Sequence, residues 1–420
     1  MKHSSVRTMV CALFVGPVSL LVAGCEGDPE SEDPRPDTGI VSEVGGDADT
    51  GTPDVVDTGT PGDTAKPSCL TDTSELDKVL ALPSGTKKCL VGQYTLPVAA
   101  QNLSWGRHGG PLGFESTPDV ALVRWKLPVG PVGVLTAEKQ KVPVPSLPSG
   151  IFWSGSAIDL PFFGWTAFTY TDSSFGGELI LTDKSGVLTR YFMKGFYGNA
   201  SLGVVGSDAG RLLFTGLSGL ATAKVTGPRD AGLWAADSCG TAAAPKLLPA
   251  GDATCKDPTK LATWRGGDSG LVTRDPDGNV FVVLATIDFT DATKSFYETR
   301  GFEKTTVARG QGATAGDEIV TLNASYVSAL AADGKALYYQ PTDGKTYEAQ
   351  DVKSIAYAVD ATGKKVKPSG AATTFLSLKK TGTVTDLFVD DKGALWVGVV
   401  TSPSSDAGAG TSTYFVLGEP

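Results

Sequence analysis

A serine hydroxyl becomes a nucleophile only when a nearby base can take its proton, and one stretch of this chain has the residues for that chemistry. TWRGGDSGLVTRDPDGNVFVV, residues 263–283, places Ser269 inside Gly-Asp-Ser-Gly. The chain has two histidines, His3 and His108. His108, in SWGRHGGPLG, is therefore the one base of that type beyond the N-terminal leader, and Asp119, in PDVALVRWKLPV, is a carboxylate that could orient it. A second reading of the same stretch needs no catalysis. Asp and Ser side chains readily bond to nearby backbone, so Asp268 and Ser269 can cap a loop that leads into a strand, with Asp-Pro-Asp-Gly as the turn that follows.

The tetrapeptide around Ser269 resembles the nucleophile motif of trypsin-like serine proteases. That resemblance implies an oxyanion hole of backbone N–H groups, His108 as general base, Asp119 as its orienting partner, and a double β-barrel with a C-terminal β extension. The order His108, Asp119, Ser269 matches that family, but the spacing does not. Only eleven residues separate His108 from Asp119, too few for the strands the family places there. Leu271 and Val272 stand where the family continues with Gly-Pro.

The elements that would position these residues are mostly strands. VALVRWKL (residues 120–127), TAFTYT (166–171) and NVFVVLATI (279–287) are short apolar runs rich in β-branched and aromatic types, bounded by turn formers. TDTSELDKVLAL (71–82) has a polar cap before apolar residues at helical spacing and predicts one short helix. Four stretches align on a glycine that follows aspartate: SLGVVGSDAGRLLFTG, SGLVTRDPDGNVFVVL, YVSALAADGKALYYQ and VTDLFVDDKGALWVGVV. Their glycines, Gly210, Gly278, Gly334 and Gly393, lie 68, 56 and 59 residues apart, with weaker copies at Gly186 and Gly363. Two hairpins in each such interval make a four-stranded sheet, and a radial array of these sheets is a mainly β fold, a propeller of five or six blades. Asp390, Gly393, Leu395, Trp396, Val397 and Gly398 resemble the repeat of bacterial sensor-type propellers, which implies the same fold. A competing signal lies in DEIVTLNASYVSALAADG, where Ile319, Leu322, Tyr326, Val327 and Leu330 fall at helical spacing before Gly334. The crowded IFWSGSAIDLPFFGWTAFTY contains Trp153, Phe162, Phe163, Trp165, Phe168 and Tyr170. It reads as packing between sheets, or as a surface that stacks a sugar or anchors a partner.

The N-terminus carries its own chemistry. Lys2 and Arg7 precede an apolar run, Met9 to Val22, that is too short for a span of ~20 residues and ends in Ala23-Gly24-Cys25. Residues 22–25 resemble the lipobox of bacterial lipoproteins, which implies cleavage of a signal peptide (1–24) and lipidation of Cys25. The expected location is a bacterial membrane, outer membrane or cell surface, with the lipid as the membrane contact. Residues 26–67 hold twelve acidic residues against Arg35 and Lys66, a net charge of −10 that equals the formal charge of the whole chain. With no aromatic residue and abundant Pro, Gly and Thr, residues 25–68 are expected to be a disordered stalk. The spacing there lacks the ligand pattern of an EF-hand. The remainder, residues 69–420, is the globular domain; its 32 Lys and Arg stand against 34 Asp and Glu, and no basic patch suggests nucleic acid. Its four cysteines permit three pairings. The sequence-local one, Cys69–Cys89 and Cys239–Cys255, is preferred because each pair encloses a loop containing Pro or Gly. The absence of Cys-x-x-Cys and the scarcity of histidine argue against zinc, and no motif calls for a cofactor. The expected role is binding of an envelope protein, glycan or small ligand, with serine hydrolysis at Ser269 as the alternative.

Overall fold

A strand that is apolar on both faces must lie between two packed layers, and Val327–Ala332 is such a strand. In the computed structural model of the chain, Ala329 and Ala331 enter one core with Tyr338, Leu387 and Leu395. Leu330 and Ala332 enter another with Phe281, Tyr339 and Tyr357. Burial on both sides erases the alternation by which strands are recognised, so the helical spacing across residues 317–334 is misleading. The helix alternative is corrected here, because Asp317–Asn323 and Val327–Ala332 are both strands.

The structure describes the chain from Pro67 onward, except residues 98–102, 107, 116–120, 142–156, 161–164, 172–175, 183–186, 195–203, 207–210, 217–219, 222–231, 242–243, 248–258, 264–268, 287–295, 303–316, 324–326, 343–348, 363–364, 380–381 and 402–411. The described strands form six sheets, each built on four antiparallel strands. Blade 1 contains Ser104–Gly106, Gly110–Glu115, Ala121–Lys126 and Thr136–Lys141. Blade 2 contains Ala157–Leu160, Trp165–Thr171, Gly176–Thr182 and Val187–Lys194. Blade 3 contains Val204–Gly206, Arg211–Gly216, Gly232–Thr241 and Thr259–Thr263. Blade 4 contains Ser269–Arg274, Val280–Thr286, Phe296–Phe302 and Asp317–Asn323. Blade 5 contains Val327–Ala332, Ala336–Pro341, Val352–Val359 and Thr373–Leu378. Blade 6 takes Gly382–Val389, Leu395–Thr401 and Ser412–Gly418 from the C-terminal end, and its fourth strand, Cys89–Leu96, from the start of the domain.

The first strand of each blade contacts the first strand of the next, and that of blade 6 contacts that of blade 1. Six inner strands therefore close a ring, which defines a six-bladed β-propeller. This is the architecture expected from the repeats. It replaces the double-barrel alternative, which would require sheets closed upon themselves. Pairing of Cys89–Leu96 with Ser412–Gly418 joins the two ends of the domain, so the ring cannot open without breaking a full antiparallel ladder.

Local chemistry explains the hairpins. Gly278, Gly334 and Gly393 have φ of 94°, 88° and 77°, a region that penalises side chains, and each turns the first strand of its blade into the second. Gly210, the expected counterpart, lies outside the described residues, as do Gly186 and Gly363. The helix is shorter than the expected span, Ser74–Val79. It seats Leu76 and Val79 in the core between blades 5 and 6. Cys69 and Cys89 form the expected disulfide, with Cα atoms 5.6 Å apart. Cys239 lies on Gly232–Thr241, and its expected partner Cys255 lies outside the described residues. Among the described residues no helix is long and apolar enough to cross a membrane.

Candidate functional site

The aspartates of the repeat are tied to the backbone they turn. Asp390 Oδ1 accepts hydrogen bonds from the N–H groups of Lys392 and Ala394 at 2.9 and 2.8 Å, and Oδ2 accepts from the Trp396 indole at 3.0 Å. Burial pushes the Asp390 carboxyl above the usual range, and these three donors only partly oppose that rise. In blade 4, Asp275 accepts from the Asn279 backbone and side chain at 2.7 and 2.8 Å, and from Tyr357 Oη of blade 5 at 2.7 Å. Burial and the adjacent Asp275 carboxylate raise the Tyr357 phenol. In blade 5, Asp333 accepts from Lys335 N–H, Ala336 N–H and Tyr338 Oη at 2.9, 2.8 and 2.8 Å. Asp386, on the inner strand of blade 6, accepts from Tyr414 Oη at 2.7 Å and from Leu103 N–H at 3.2 Å. These carboxylates bind hairpins and blades together. Tyr94, Trp105, Phe388, Trp396 and Tyr414 fill the adjoining junction, with Tyr94 stacked on Trp396 at 5.2 Å.

Ser269 is the first residue of the inner strand of blade 4, opposite Leu284 on the second strand. His108 lies in the hairpin that follows the inner strand of blade 1. The inner strand of blade 4 touches those of blades 3 and 5, whereas that of blade 1 touches those of blades 2 and 6. The structure thus places Ser269 and His108 three blades apart, one at the start of an inner strand and the other beyond the end of one. It does not bring them together. Asp119 and Asp268 lie outside the described residues, as do Cys25, Trp153, Phe162 and Phe163. Trp165, Phe168 and Tyr170 share the second strand of blade 2.

What surrounds His108 is a different group. Its ring lies so close to the flanking strands that a Cβ on Gly106 would fall 2.5 Å from both Cε1 and Nδ1. Nε2 is 3.3 Å from the Trp125 carbonyl oxygen. A carbonyl only accepts, so Nε2 carries the proton of the neutral ring and Nδ1 keeps its lone pair. Burial of this edge lowers the pKa of the imidazole; the Trp125 carbonyl, Asp159 and Glu138 pull the other way. The neighbouring Arg124 donates to Gln140 Oε1 at 3.0 Å within blade 1 and to Thr166 Oγ1 at 3.2 Å on blade 2. Thr166 in turn donates to Asp159 Oδ1 at 2.7 Å. The result is a polar seam across the boundary of blades 1 and 2, with His108 at its rim, one edge buried and the rest exposed.

Arg124 supplies the donors of this seam and Asp159, Gln140 and Thr166 its acceptors, while the His108 Nε2 proton is held by the Trp125 carbonyl. Sequence reasoning found His108 but not Arg124, Asp159, Gln140 or Thr166. Their association depends on pairing strands from two blades, and no local spacing signals it. Among the described residues no group of three or more His, Cys, Asp or Glu side chains is arranged to hold a metal ion.

No family model matches the chain, and no curated protein matches it. Solved structures do resemble it. A protein of carbohydrate-active enzymes family AA12 from Trichoderma reesei is 15% identical, covers 82% of this chain and 98% of its own, and has a TM-score of 0.47. A protein of unknown function from Dyadobacter fermentans is 11% identical over 80% of this chain and 100% of its own, with a TM-score of 0.44. A gluconolactonase from Xanthomonas campestris is 12% identical over 76% of this chain and 98% of its own, with a TM-score of 0.33. The chain is a β-propeller on the strength of its own closed ring of inner strands.

Proposed function

We propose that this is a lipid-anchored bacterial envelope protein whose propeller is a binding module, and that the seam at His108, Arg124, Asp159 and Thr166 takes a hydroxyl-rich ligand such as an envelope glycan. The observation that carries the binding role is the pairing of the half-buried Arg124 with acceptors on two blades beside an exposed, neutral imidazole. A sugar hydroxyl both donates and accepts, so it can join such a network without leaving a buried polar group unpaired. The lipid anchor rests on the lipobox at Cys25 and the apolar leader before it.

Two measurements test the two halves separately. Cells expressing the full chain are fed an alkynyl palmitate; label on the wild type and none on Cys25→Ala supports the anchor. Purified chain is titrated calorimetrically with soluble peptidoglycan fragments and lipopolysaccharide-derived oligosaccharides. Saturable heat that Arg124→Ala and His108→Ala reduce tenfold or more supports the site. A fluorophosphonate probe that labels the wild type and fails on Ser269→Ala and His108→Ala would instead make the protein a serine hydrolase.

A further inference from the structure

Residues 67–82 stand outside the six four-stranded units, yet they span two blades. The helix Ser74–Val79 and the two-residue strand Leu80–Ala81 after it bury Leu76, Val79 and Leu80 to 1%, 5% and 0% exposure in the core between blades 5 and 6. Leu80 and Ala81 lie opposite Leu378 and Ser377 on the outer strand of blade 5, and Lys379 N–H donates to the Val79 carbonyl at 2.9 Å. At the other end Cys69 is bonded to Cys89, the first residue of the strand that completes blade 6. Leu70 N–H donates to Leu90 O beside it at 2.7 Å. The segment is a strap that runs from the closing strand of blade 6 to the outer edge of blade 5.

Its own elements are too short to stand alone. A helix of six residues is well below the ~12–15 needed for even marginal stability in water, and the N-cap Thr73 makes no side-chain cap bond. The contacts of the first turn are exposed: Thr73 Oγ1 donates to Asp77 Oδ2 at 2.6 Å, and Ser74 N–H to Asp72 Oδ1 at 3.0 Å. The outward face, Glu75, Asp77 and Lys78, is exposed and charged. Burial of three aliphatic side chains and closure at the two ends therefore work against the entropy of ordering about a dozen residues. Elements balanced in this way are the first to open locally. A disulfide bears on that balance because it restricts the open chain. Cys69 is exposed and Cys89 half-buried, so the bond is within reach of a dithiol.

We infer that Cys69–Cys89 is a redox latch on this strap: its reduction lets residues 69–82 lift away while the six blades stay closed. A thiolate of a dithiol reductant attacks Sγ of the exposed Cys69, and Cys89 leaves as a thiolate. The second thiol of the reductant then displaces Cys69 from the mixed disulfide. Each cysteine takes up one of the two protons the reductant gives up, two electrons pass to the pair, and the reductant becomes a disulfide. The ring does not depend on this bond. Cys89–Leu96 keeps its ladder with Ser412–Gly418, and Lys88 just before it keeps its ion pair with Asp333 of blade 5. Lifting the strap frees the backbone edge of blade 5 at Ser377 and Leu378 and removes part of the cover from Phe375 and Leu376, which share its core. The reduced protein thus offers an apolar sheet edge that the oxidised protein hides.

The test is hydrogen–deuterium exchange on the full chain with Cys25→Ser, read by mass spectrometry with and without dithiothreitol. Reduction should speed exchange at residues 70–82 and 377–379 about a hundredfold, the loop-closure factor for a sequence separation of 20. Residues 121–126 of blade 1 and 280–286 of blade 4 should exchange as before. Cys69→Ser combined with Cys89→Ser should give the same pattern without reductant, which separates this bond from any at Cys239 and Cys255. If the double variant does not fold, reduction of the folded parent decides alone. A strap that keeps its protection after reduction overturns the inference, as does exchange that accelerates in every blade alike. A bond that dithiothreitol leaves intact in the folded protein overturns it too.

Discussion

Replacing Lys88 with methionine should destabilise this protein far more than an ordinary lysine change. Lys88 immediately precedes the strand that completes blade 6, and its Nζ lies 3.0 Å from Asp333 Oδ2 in the hairpin of blade 5. The two side chains are 8% and 3% exposed, so this is a buried pair joining two blades. At this separation, an effective dielectric of 20 gives an attraction of about 5 kcal/mol. Several kcal/mol of desolvation for each ion offset that gain. The net value of the pair is therefore small, but the penalty for stranding one member is not. Lys88→Met leaves Asp333 with its three remaining donors, Lys335 N–H, Ala336 N–H and Tyr338 Oη, and should cost about 3 kcal/mol, the lower end for a broken buried pair. Asp333→Asn leaves the ammonium with the Tyr338 ring at 5.7 Å and the field of the Glu419 carboxylate, and should cost about 3–5 kcal/mol. The double variant should be less damaged than the sum of the two, by about 3 kcal/mol.

Urea unfolding of the Cys25→Ser chain at pH 7 measures all three variants. The pH dependence adds a check of sign. Burial raises the Asp333 carboxyl, but Lys88 and the hydrogen-bond donors outweigh it and hold the folded pKa below the ordinary value. Stability from a lowered carboxylate is present above the unfolded pKa of ~3.9 and disappears as pH falls through the folded value. Wild type and Lys88→Met should therefore converge in stability below about pH 4. A cost for Lys88→Met under about 1 kcal/mol at pH 7 would place the pair among ordinary surface ion pairs and refute the reasoning.

Thr299 Oγ1 is buried without a hydrogen-bond partner, so Thr299→Val, which keeps the shape, should leave the thermal midpoint unchanged or raise it, worth about 1 kcal/mol; a fall of that size would reveal a hidden partner. Gly393 has φ of 77° and open space around its Cα, so Gly393→Ala should cost only the backbone term of about 1–2 kcal/mol. Gly398→Ala would meet Tyr414 Cε1 at 2.7 Å and Asp386 Cβ at 3.0 Å, and should be the worse of the two in urea unfolding. Reducing Cys69–Cys89 opens a loop of sequence separation 20 and should lower stability by about 3 kcal/mol; no change in the urea midpoint on reduction would count against that closure. Asp390, raised by burial, carries the opposite pH sign to Asp333: its share of stability is present below the unfolded pKa and is lost as pH rises through the raised folded value. Denaturation of Asp390→Asn between pH 4 and 7 should lack that component.

What the sequence by itself determined is local and periodic. Asp-x-x-Gly at residues 275–278 and 390–393 specifies hairpins because only a residue tolerant of positive φ completes the turn. The recurrence of those glycines at nearly constant intervals specifies a repeated four-stranded unit. The short helix and the Cys69–Cys89 pair were legible for the same reason, since each depends on neighbours in the chain. Residues 317–334 were ambiguous because burial between two blades removes the period-two pattern. Ser269 drew attention through four residues that a β-hairpin protein can also use to begin a strand. Only the tertiary structure decided that there are six blades, that Cys89–Leu96 closes the last one, and that Lys88 meets Asp333 across 245 residues. It also decided that His108 sits with Arg124, Thr166 and Asp159 and apart from Ser269. Ring closure and blade junctions join residues distant in the chain, and their energies depend on desolvation and register, which no local spacing encodes.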